Sequence, residues 1–123
     1  MRLPWRGALV APDGVHLTVD KGAVRLTSAP AREGQRPSVD VLFESMASWH
    51  PRACAGVLLS GMGRDGAEGL ARLHRLGGRT MVQSEETCVV FGMPGAAIQM
   101  GAADTALRPS GLAESLVEMA NAA

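Results

Sequence analysis

Apolar and polar residues alternate in the early part of the chain, a pattern that is typical of β-structure. A short apolar run over residues 7–11 predicts a strand, and residues 15–19 and 23–27 alternate on either side of a turn at Asp20-Lys-Gly22. These segments predict a strand followed by a small β-hairpin. The polar residues 28–36 that come next contain Pro and Gly, and they predict a surface loop.

The apolar period changes to that of a helix at residue 38. Ser38 is an N-cap residue for a helix of about a dozen residues, whose apolar positions are Val39, Leu42, Phe43, Met46 and Trp49. This stripe favours a core face over a partner-binding face. The later predicted elements are a strand over 55–60, a helix over 67–76, a strand over 79–83, a helix over 92–101, a strand over 104–107 and a last helix capped by Ser110. Such alternation predicts an α/β fold with an open parallel sheet.

Composition and charge exclude several classes of function. The chain has 123 residues, enough for one domain, and its twelve basic residues balance twelve acidic ones. Zero net charge, two Trp, two Phe and no Tyr argue against nucleic-acid binding. No apolar run is long enough to insert into a membrane, and the start does not resemble a signal peptide. With two cysteines, these features predict a cytoplasmic protein with reduced thiols.

The most informative segment is a glycine turn between a predicted strand and a predicted helix. Gly61, Gly63 and Gly66 surround a lone carboxylate, Asp65. Turns of this kind lie at the carboxyl edge of a parallel sheet, where α/β proteins place their sites. We therefore predict a functional role for Asp65, with helix capping as the structural alternative.

The same glycines match a dinucleotide-binding fingerprint, since Gly61-x-Gly63-x-x-Gly66 follows a predicted strand and precedes a predicted helix. Asp65 argues against that interpretation, because it would direct a negative charge at the pyrophosphate. Dinucleotide binding is therefore a distant alternative, and we predict no cofactor.

Four separated motifs follow one another along the chain: Val10-Ala-Pro-Asp-Gly-Val-His-Leu17, Arg36-Pro-Ser-Val-Asp-Val-Leu-Phe43, Gly61-Met-Gly-Arg-Asp-Gly-Ala67 and Thr87-Cys-Val-Val-Phe-Gly-Met-Pro94. In this order they resemble the motifs of the chemotaxis protein-glutamate methylesterases and their CheB-type catalytic domain. The resemblance covers nearly the whole chain.

The resemblance implies a doubly wound, Rossmann-like α/β domain that removes methyl esters from chemoreceptor glutamates, and in many members deamidates glutamines. Such enzymes use a serine, a histidine and an aspartate, and the aspartate corresponds to Asp65. The backbone amides around Met62 and Gly63 are candidate oxyanion donors. Gly92 and Met93 open a helix whose free amides are expected to line the site.

The chain also departs from the family pattern. The family's serine and histidine precede the segment that begins here at Ala11, and no glycine turn bearing a nucleophilic serine is present. The resemblance therefore implies that the chain is the later part of a catalytic domain, with no receiver domain. It also implies an incomplete sheet and no activity of the chain alone. The alternative is a non-catalytic regulatory or receptor-binding module, with self-association through an unpaired sheet edge.

A substitute triad within this chain is a weaker hypothesis. We expect Ser60 to bond to the backbone, the thiols to be buried and structural, His16 to face solvent or the polar side of the hairpin, His50 to bond a carbonyl at a helix end, and His74 to be half exposed. No pair of histidines has metal-ligand spacing, so we predict no metal site. The candidates weighed are Ser45, Ser60, Cys54 and Cys88 with His16, His50 or His74.

Overall fold

Helices and strands alternate from residue 39 onward, after an antiparallel hairpin. The computed structural model describes Arg2 and residues 6–122. The elements in chain order are β1 (His16–Asp20), β2 (Ala23–Thr27), α1 (Val39–Trp49), β3 (Ala55–Leu58), α2 (Ala67–Arg75), β4 (Arg79–Gln83), α3 (Gly92–Gln99), β5 (Thr105–Leu107) and α4 (Pro109–Ala122). The predicted alternation is confirmed.

Two separate sheets are formed. Strands β3, β4 and β5 are parallel, with β4 in the middle, and Leu58 lies opposite Val82 in their register. Strands β1 and β2 form the predicted hairpin. Its two-residue turn, Lys21 and Gly22, has positive φ at both positions, as the twist of a tight hairpin requires.

The core lies between the parallel sheet and helices α1, α2 and α3. Leu58, Val82 and Phe43 belong to this core. Gly56 of β3 allows the helices to approach, because a Cβ there would lie 2.6 Å from Leu70 Cδ1. Helix α4 packs against β4 and β5, and a cleft separates it from Ala55 at the start of β3. The fold is thus the predicted α/β arrangement of an incomplete doubly wound sheet with a hairpin.

Two predictions about the elements are wrong. Residues 7–11 form no strand, and Val10 is 92% exposed. A strand needs a neighbour to accept its backbone hydrogen bonds, and this run pairs with neither sheet. Helix α4 begins at Pro109, so Ser110 lies inside its first turn instead of capping it.

One edge of the parallel sheet is unpaired. Arg79 N donates to Cys54 O, so the backbone groups of Cys54 point towards β4. Backbone groups alternate in direction along a strand of a parallel ladder, so those of Gly56 point towards β4 as well. The N–H and C=O groups of Ala55 and Val57 therefore point to the opposite edge. No strand within Arg2 and residues 6–122 pairs there, and β3 carries no charged residue or Pro that would block an incoming strand.

Candidate active site at the glycine turn

The turn after β3 bends the chain sharply at residues that only glycine suits. Gly63 and Gly66 have φ values of +82° and +101°, a region that residues with a Cβ rarely adopt. A Cβ on Gly66 would also lie 2.6 Å from Leu58 Cδ2 and 2.8 Å from Val39 Cγ1. The turn therefore packs tightly against the start of α1, and it directs the Asp65 side chain towards that helix end.

The Asp65 carboxylate accepts three hydrogen bonds from the first turn of α1. Oδ1 accepts from Ser38 Oγ at 2.8 Å and from Asp40 N at 3.1 Å, and Oδ2 accepts from Val39 N at 2.8 Å. Asp65 thus caps a helix, as the structural alternative predicts, but this helix is α1 and not the helix that follows Asp65. A negative charge at a helix N-terminus is also favoured by the helix dipole.

Ser38 connects this carboxylate to a buried histidine. Ser38 is the predicted N-cap, and its Oγ accepts from Val41 N. Its own N–H donates to Nδ1 of His16 at 3.1 Å, while Nε2 of His16 lies 3.0 Å from Pro30 O. The prediction that His16 faces solvent or the polar side of the hairpin is wrong. His16 is fully buried because the hairpin packs against α1 and turns this position inward.

Asp40 is a site residue that the sequence reasoning missed. It is buried, and its Oδ1 accepts from Gly69 N in the first turn of α2 at 2.7 Å. Burial, followed by the nearby negative charge of Asp65, raises the pKa of Asp40, although the Gly69 amide opposes this shift. The signal in the sequence is an acid in the first turn of the helix that Ser38 caps. The apolar pattern alone gives no reason for such an acid to be buried.

An open cleft of about 370 Å³ lies over the turn. Met62, Gly63 and Met93 line it together with Asp65, so these four predicted site residues lie around one space. Met62 is 80% exposed and covers no core. The remaining residues of its wall are Arg32, Glu33, Gln35 and Arg64.

The expectation that the amides of Gly92 and Met93 are free is wrong. Both N–H groups donate to Gly61 O, at 3.0 and 3.2 Å. A Cβ on Gly92 would lie 2.7 Å from that same oxygen. The start of α3 is therefore locked onto the glycine turn, and these two amides shape the turn without being available to a ligand.

Arg32 fastens the loop 28–36 over the two helices. Its Nη1 donates to Glu44 of α1 at 2.6 Å and its Nη2 to Glu68 of α2 at 3.0 Å. The hydrogen bond with Glu44 is the main cause of the raised pKa of Arg32, which stays charged. Because Arg32 lines the cleft, these bonds hold one wall of the cleft in place.

The candidate hydroxyls are occupied by backbone groups. Ser60 Oγ accepts from Val89 N and Val90 N and donates to Val90 O, as expected of a structural turn hydroxyl. Ser45 Oγ donates to Leu42 O and accepts from Val19 N. Neither hydroxyl pairs with a histidine, and no substitute triad forms within the described residues.

The other candidates lie away from Asp65. His74 is half exposed, as predicted, and its Nδ1 lies 3.1 Å from Asp104 Oδ1. Asp104 directly precedes β5, so this pair lies at the amino ends of the strands, opposite the carboxyl ends near Asp65. At His50 the backbone N–H bonds the helix carbonyl of Met46, while the ring stands edge-on to Trp49.

Both cysteines are free and half-buried, where buried thiols were expected. Burial raises the pKa of Cys54, and burial together with Glu85 and Glu86 raises that of Cys88. Raised pKa values disfavour the thiolate and therefore nucleophilic chemistry.

The dinucleotide interpretation is not favoured by the geometry. A pyrophosphate would need free amides at the start of α2, but Ala67 N donates to Arg64 O and Gly69 N donates to Asp40. Asp65 adds a negative charge at the same turn. None of the described helices is long and apolar enough to cross a bilayer.

A parallel α/β sheet with a carboxylate on a glycine turn at its carboxyl edge defines the class: a doubly wound α/β domain with a site at the strand ends. The family model of CheB methylesterase matches residues 1–116. The chain belongs to the CheB methylesterase family.

Relatives of known function and structure support this assignment. The chain is 48% identical over 111 residues to protein-glutamate methylesterase/protein-glutamine glutaminase 2 of Anaeromyxobacter dehalogenans, covering 90% of this chain and 33% of that protein. The corresponding protein of Pseudomonas aeruginosa is 44% identical over 117 residues, covering 92% and 34%. The crystal structure of the Thermotoga maritima CheB methylesterase catalytic domain superposes with a TM-score of 0.81 at 34% identity, covering 88% of this chain and 59% of that one. The chain therefore spans about a third of these curated relatives and more than half of the crystallised catalytic domain.

Proposed function

We propose that this chain forms the carboxyl-terminal part of a protein-glutamate methylesterase catalytic domain, in which Asp65 orients the catalytic histidine. The observation that carries the proposal is the state of the Asp65 carboxylate. It is held rigidly at the edge of an open cleft, yet it keeps capacity to accept one more hydrogen bond.

The lone pairs of the carboxylate can be counted. An ionised carboxylate offers about four acceptor sites, two on each oxygen. Oδ1 receives Ser38 Oγ and Asp40 N, whereas Oδ2 receives only Val39 N. An imidazole N–H approaching from the cleft therefore has Oδ2 as its acceptor. This is the role of a triad aspartate, which fixes the tautomer of the histidine and stabilises its cationic form.

The serine and the histidine of the family would come from a segment preceding the one described here. In the proposed reaction the serine attacks the ester carbonyl, the histidine takes the serine proton and passes it to departing methanol, and water then releases the glutamate carboxylate. Met62 and Gly63 line the cleft together with Asp65, and we assign their amides to the developing oxyanion.

The proposed substrates are methylated glutamates of chemoreceptors, and the proposed compartment is the cytoplasm. The names of the relatives, protein-glutamate methylesterase/protein-glutamine glutaminase, support this substrate class. Met62 in the wall of the cleft is 80% exposed, so the cleft is accessible to a side chain presented on the surface of another protein.

A chimera tests this function. The segment of the Thermotoga maritima catalytic domain that precedes the matched region would be fused before this chain, and methanol release from methylated receptor would be measured. We expect release from the chimera and none from the present chain alone. Loss of a triad member costs several orders of magnitude in turnover, so the chimera with Asp65→Asn should be inactive, whereas Asp20→Asn on the exposed hairpin should retain activity. Equal activity of the two variants would exclude the proposed role of Asp65.

The free edge of β3 favours a second proposal, self-association of the isolated chain. Its outward backbone groups at Ala55 and Val57 would pair either with the family segment or with a second copy. Light scattering over a concentration series should give a mass above 12.8 kDa for the chain alone. Val57→Pro removes an outward N–H that β4 does not use, so it should return the protein to a monomer. A monomer at all concentrations would contradict this proposal.

A further inference from the structure

We propose that His16 is a positioning residue for Asp65, that it acts through Ser38, and that it does so as the neutral tautomer with its proton on Nε2. For its catalytic consequence this inference rests on the proposed function. Its structural part concerns only this chain and can be tested on it.

The first step is the burial of the imidazole. His16 is fully buried, and each ring nitrogen faces one backbone group. Nδ1 lies 3.1 Å from Ser38 N, and Nε2 lies 3.0 Å from Pro30 O. The ring therefore joins the loop 28–36 to the N-terminus of α1, with both of its polar atoms satisfied.

The second step is the tautomer. A backbone N–H can only donate, so Nδ1 must present a lone pair to Ser38 N. A carbonyl oxygen can only accept, so Nε2 must carry the proton that bonds Pro30 O. The Nδ1–H tautomer or an imidazolium would set two N–H groups against each other at Ser38.

The third step connects His16 to the carboxylate. Ser38 uses its backbone N–H for His16 and its hydroxyl for Asp65 Oδ1, with the second bond at 2.8 Å. The next two amides, Val39 N and Asp40 N, also bind Asp65. A displacement of Ser38 therefore moves all three donors that orient the carboxylate, and with them the acceptor site that remains on Oδ2.

A merely structural role would differ in its consequences. If His16 only anchored the loop, its loss would lower the free energy of unfolding while the amides of Val39 and Asp40 stayed bonded to Asp65 in the folded chain. If His16 positions Asp65, its loss weakens these two bonds, so both amide protons shift and exchange faster with solvent.

The test uses NMR on the full chain and three variants. His16→Leu removes both polar contacts at similar volume, and His16→Asn offers an amide oxygen near the position of Nδ1. His74→Asn is the control on a half-exposed histidine. We expect His16→Leu to shift the Val39 and Asp40 amide protons and to speed their exchange with solvent, His16→Asn to restore part of both, and the control to change neither.

The tautomer provides a measurement that does not depend on any variant folding. The ¹⁵N shifts of His16 in the unmodified chain should show a protonated Nε2 and an unprotonated Nδ1. The opposite tautomer would overturn the inference. So would unchanged shifts and exchange rates of the Val39 and Asp40 amide protons in folded His16→Leu or in His16→Asn.

In the active chimera, loss of His16 should lower kcat on the order of tenfold to a hundredfold with KM nearly unchanged, because a misplaced orienting group costs turnover more than binding. A rise in KM alone would contradict the positioning role. A chimera that is inactive even without substitutions would instead count against the proposed function, and the NMR results on the present chain would still decide the role of His16.

Discussion

Asp40 and Asp65 cap each other's helices. Asp65, two residues before α2 begins, accepts hydrogen bonds from the first amides of α1, while Asp40, in the first turn of α1, accepts one from Gly69 N in the first turn of α2. The two N-termini thus meet with two carboxylates between them. The arrangement satisfies amides that helix ends leave without partners, and it places the candidate catalytic carboxylate on a rigid support.

Replacement of Asp65 by Ala should destabilise the chain as well as abolish the proposed activity. Three donors lose their acceptor, and loss of a helix cap costs about 0.5–2 kcal/mol, with about 1–3 kcal/mol for a buried donor left unsatisfied. We expect a decrease of about 2–3 kcal/mol in the free energy of unfolding, measured by urea denaturation at pH 7.

The matched control is Asp20→Ala on the hairpin. Asp20 forms an exposed ion pair with Arg25 at 3.6 Å, and such pairs contribute at most about 1 kcal/mol. If Asp65→Ala were as stable as Asp20→Ala, the capping role of Asp65 would have to be abandoned.

Asp40→Asn should change how stability depends on pH. The folded pKa of Asp40 is raised above its ordinary value of 3.8, so the folded chain holds this proton more tightly than the unfolded chain. The stabilisation that the protonated Asp40 carboxyl contributes is complete below pH 3.8, the ordinary pKa. It is lost as the pH rises through the raised pKa of the folded chain. Each unit between the two pKa values corresponds to about 1.4 kcal/mol.

Asparagine keeps an oxygen for Gly69 N but has no proton to lose in this range. Urea unfolding of both proteins from pH 3.5 to 7 should therefore show the unmodified chain losing stability relative to Asp40→Asn as pH increases. Subtracting the two curves cancels the titration of the other carboxylates. A flat difference, or one of opposite slope, would mean that the pKa of Asp40 is not raised.

Much of the fold was predictable because periodicity reports which face of an element is buried. The order of elements, the cap at Ser38 and the turn around Asp65 all follow from local pattern. The burial of His16 did not, because an alternating strand shows two faces and only the packing of the hairpin on α1 decides which is covered.

Long-range pairing explains the other misses. The bonds of Gly92 N and Met93 N to Gly61 O join residues about thirty positions apart, and no local signal encodes them. The bond from Gly69 N to Asp40 Oδ1 joins residues 29 positions apart, so no local pattern encodes it either. The run at 7–11 has strand composition, yet it pairs with neither sheet, and composition alone does not supply a partner strand.

Arg32→Ala should loosen the loop 28–36 while preserving the helices. The guanidinium binds Glu44 and Glu68 on two helices, and its side chain is only 31% exposed. Ion pairs between partly exposed groups contribute about 0.2–1 kcal/mol each. We expect faster limited proteolysis within the loop, with the helical circular dichroism unchanged.

Two further variants separate the causes of that effect. Arg32→Lys retains the charge but cannot reach both glutamates at once, so it should resemble Arg32→Ala. Arg25→Ala removes an exposed arginine of the hairpin and should leave the loop protected. Cleavage of Arg32→Ala at the rate of the unmodified chain would show that the other bonds of the loop, between Arg32 and Gln35 and between Pro30 O and His16, hold it without the guanidinium.

Gly69→Ala should destabilise the chain, against the usual trend for helix positions. Within a helix, Ala is normally more stable than Gly by about 0.5–1 kcal/mol. At Gly69, however, a Cβ would lie 2.9 Å from Phe43 Cβ and 3.0 Å from Asp40 Cα and Asp40 O. Two of these atoms are backbone and cannot move aside, so α1 and α2 must separate, at a cost of about 1–3 kcal/mol. The separation would also lengthen the bond from Gly69 N to Asp40.

Gly111→Ala is the matched control, because its Cβ would meet Leu107 Cβ at 3.4 Å, an ordinary contact. Thermal unfolding should give a lower Tm for Gly69→Ala and an equal or higher Tm for Gly111→Ala. Asp40 lies in the first turn of α1, and Asp65 accepts hydrogen bonds from the same turn. Gly69→Ala should therefore also lower kcat in the active chimera, although it touches no residue of the cleft. A stable Gly69→Ala protein with full activity would show that the contact between the two helices is not needed to hold Asp65 in position.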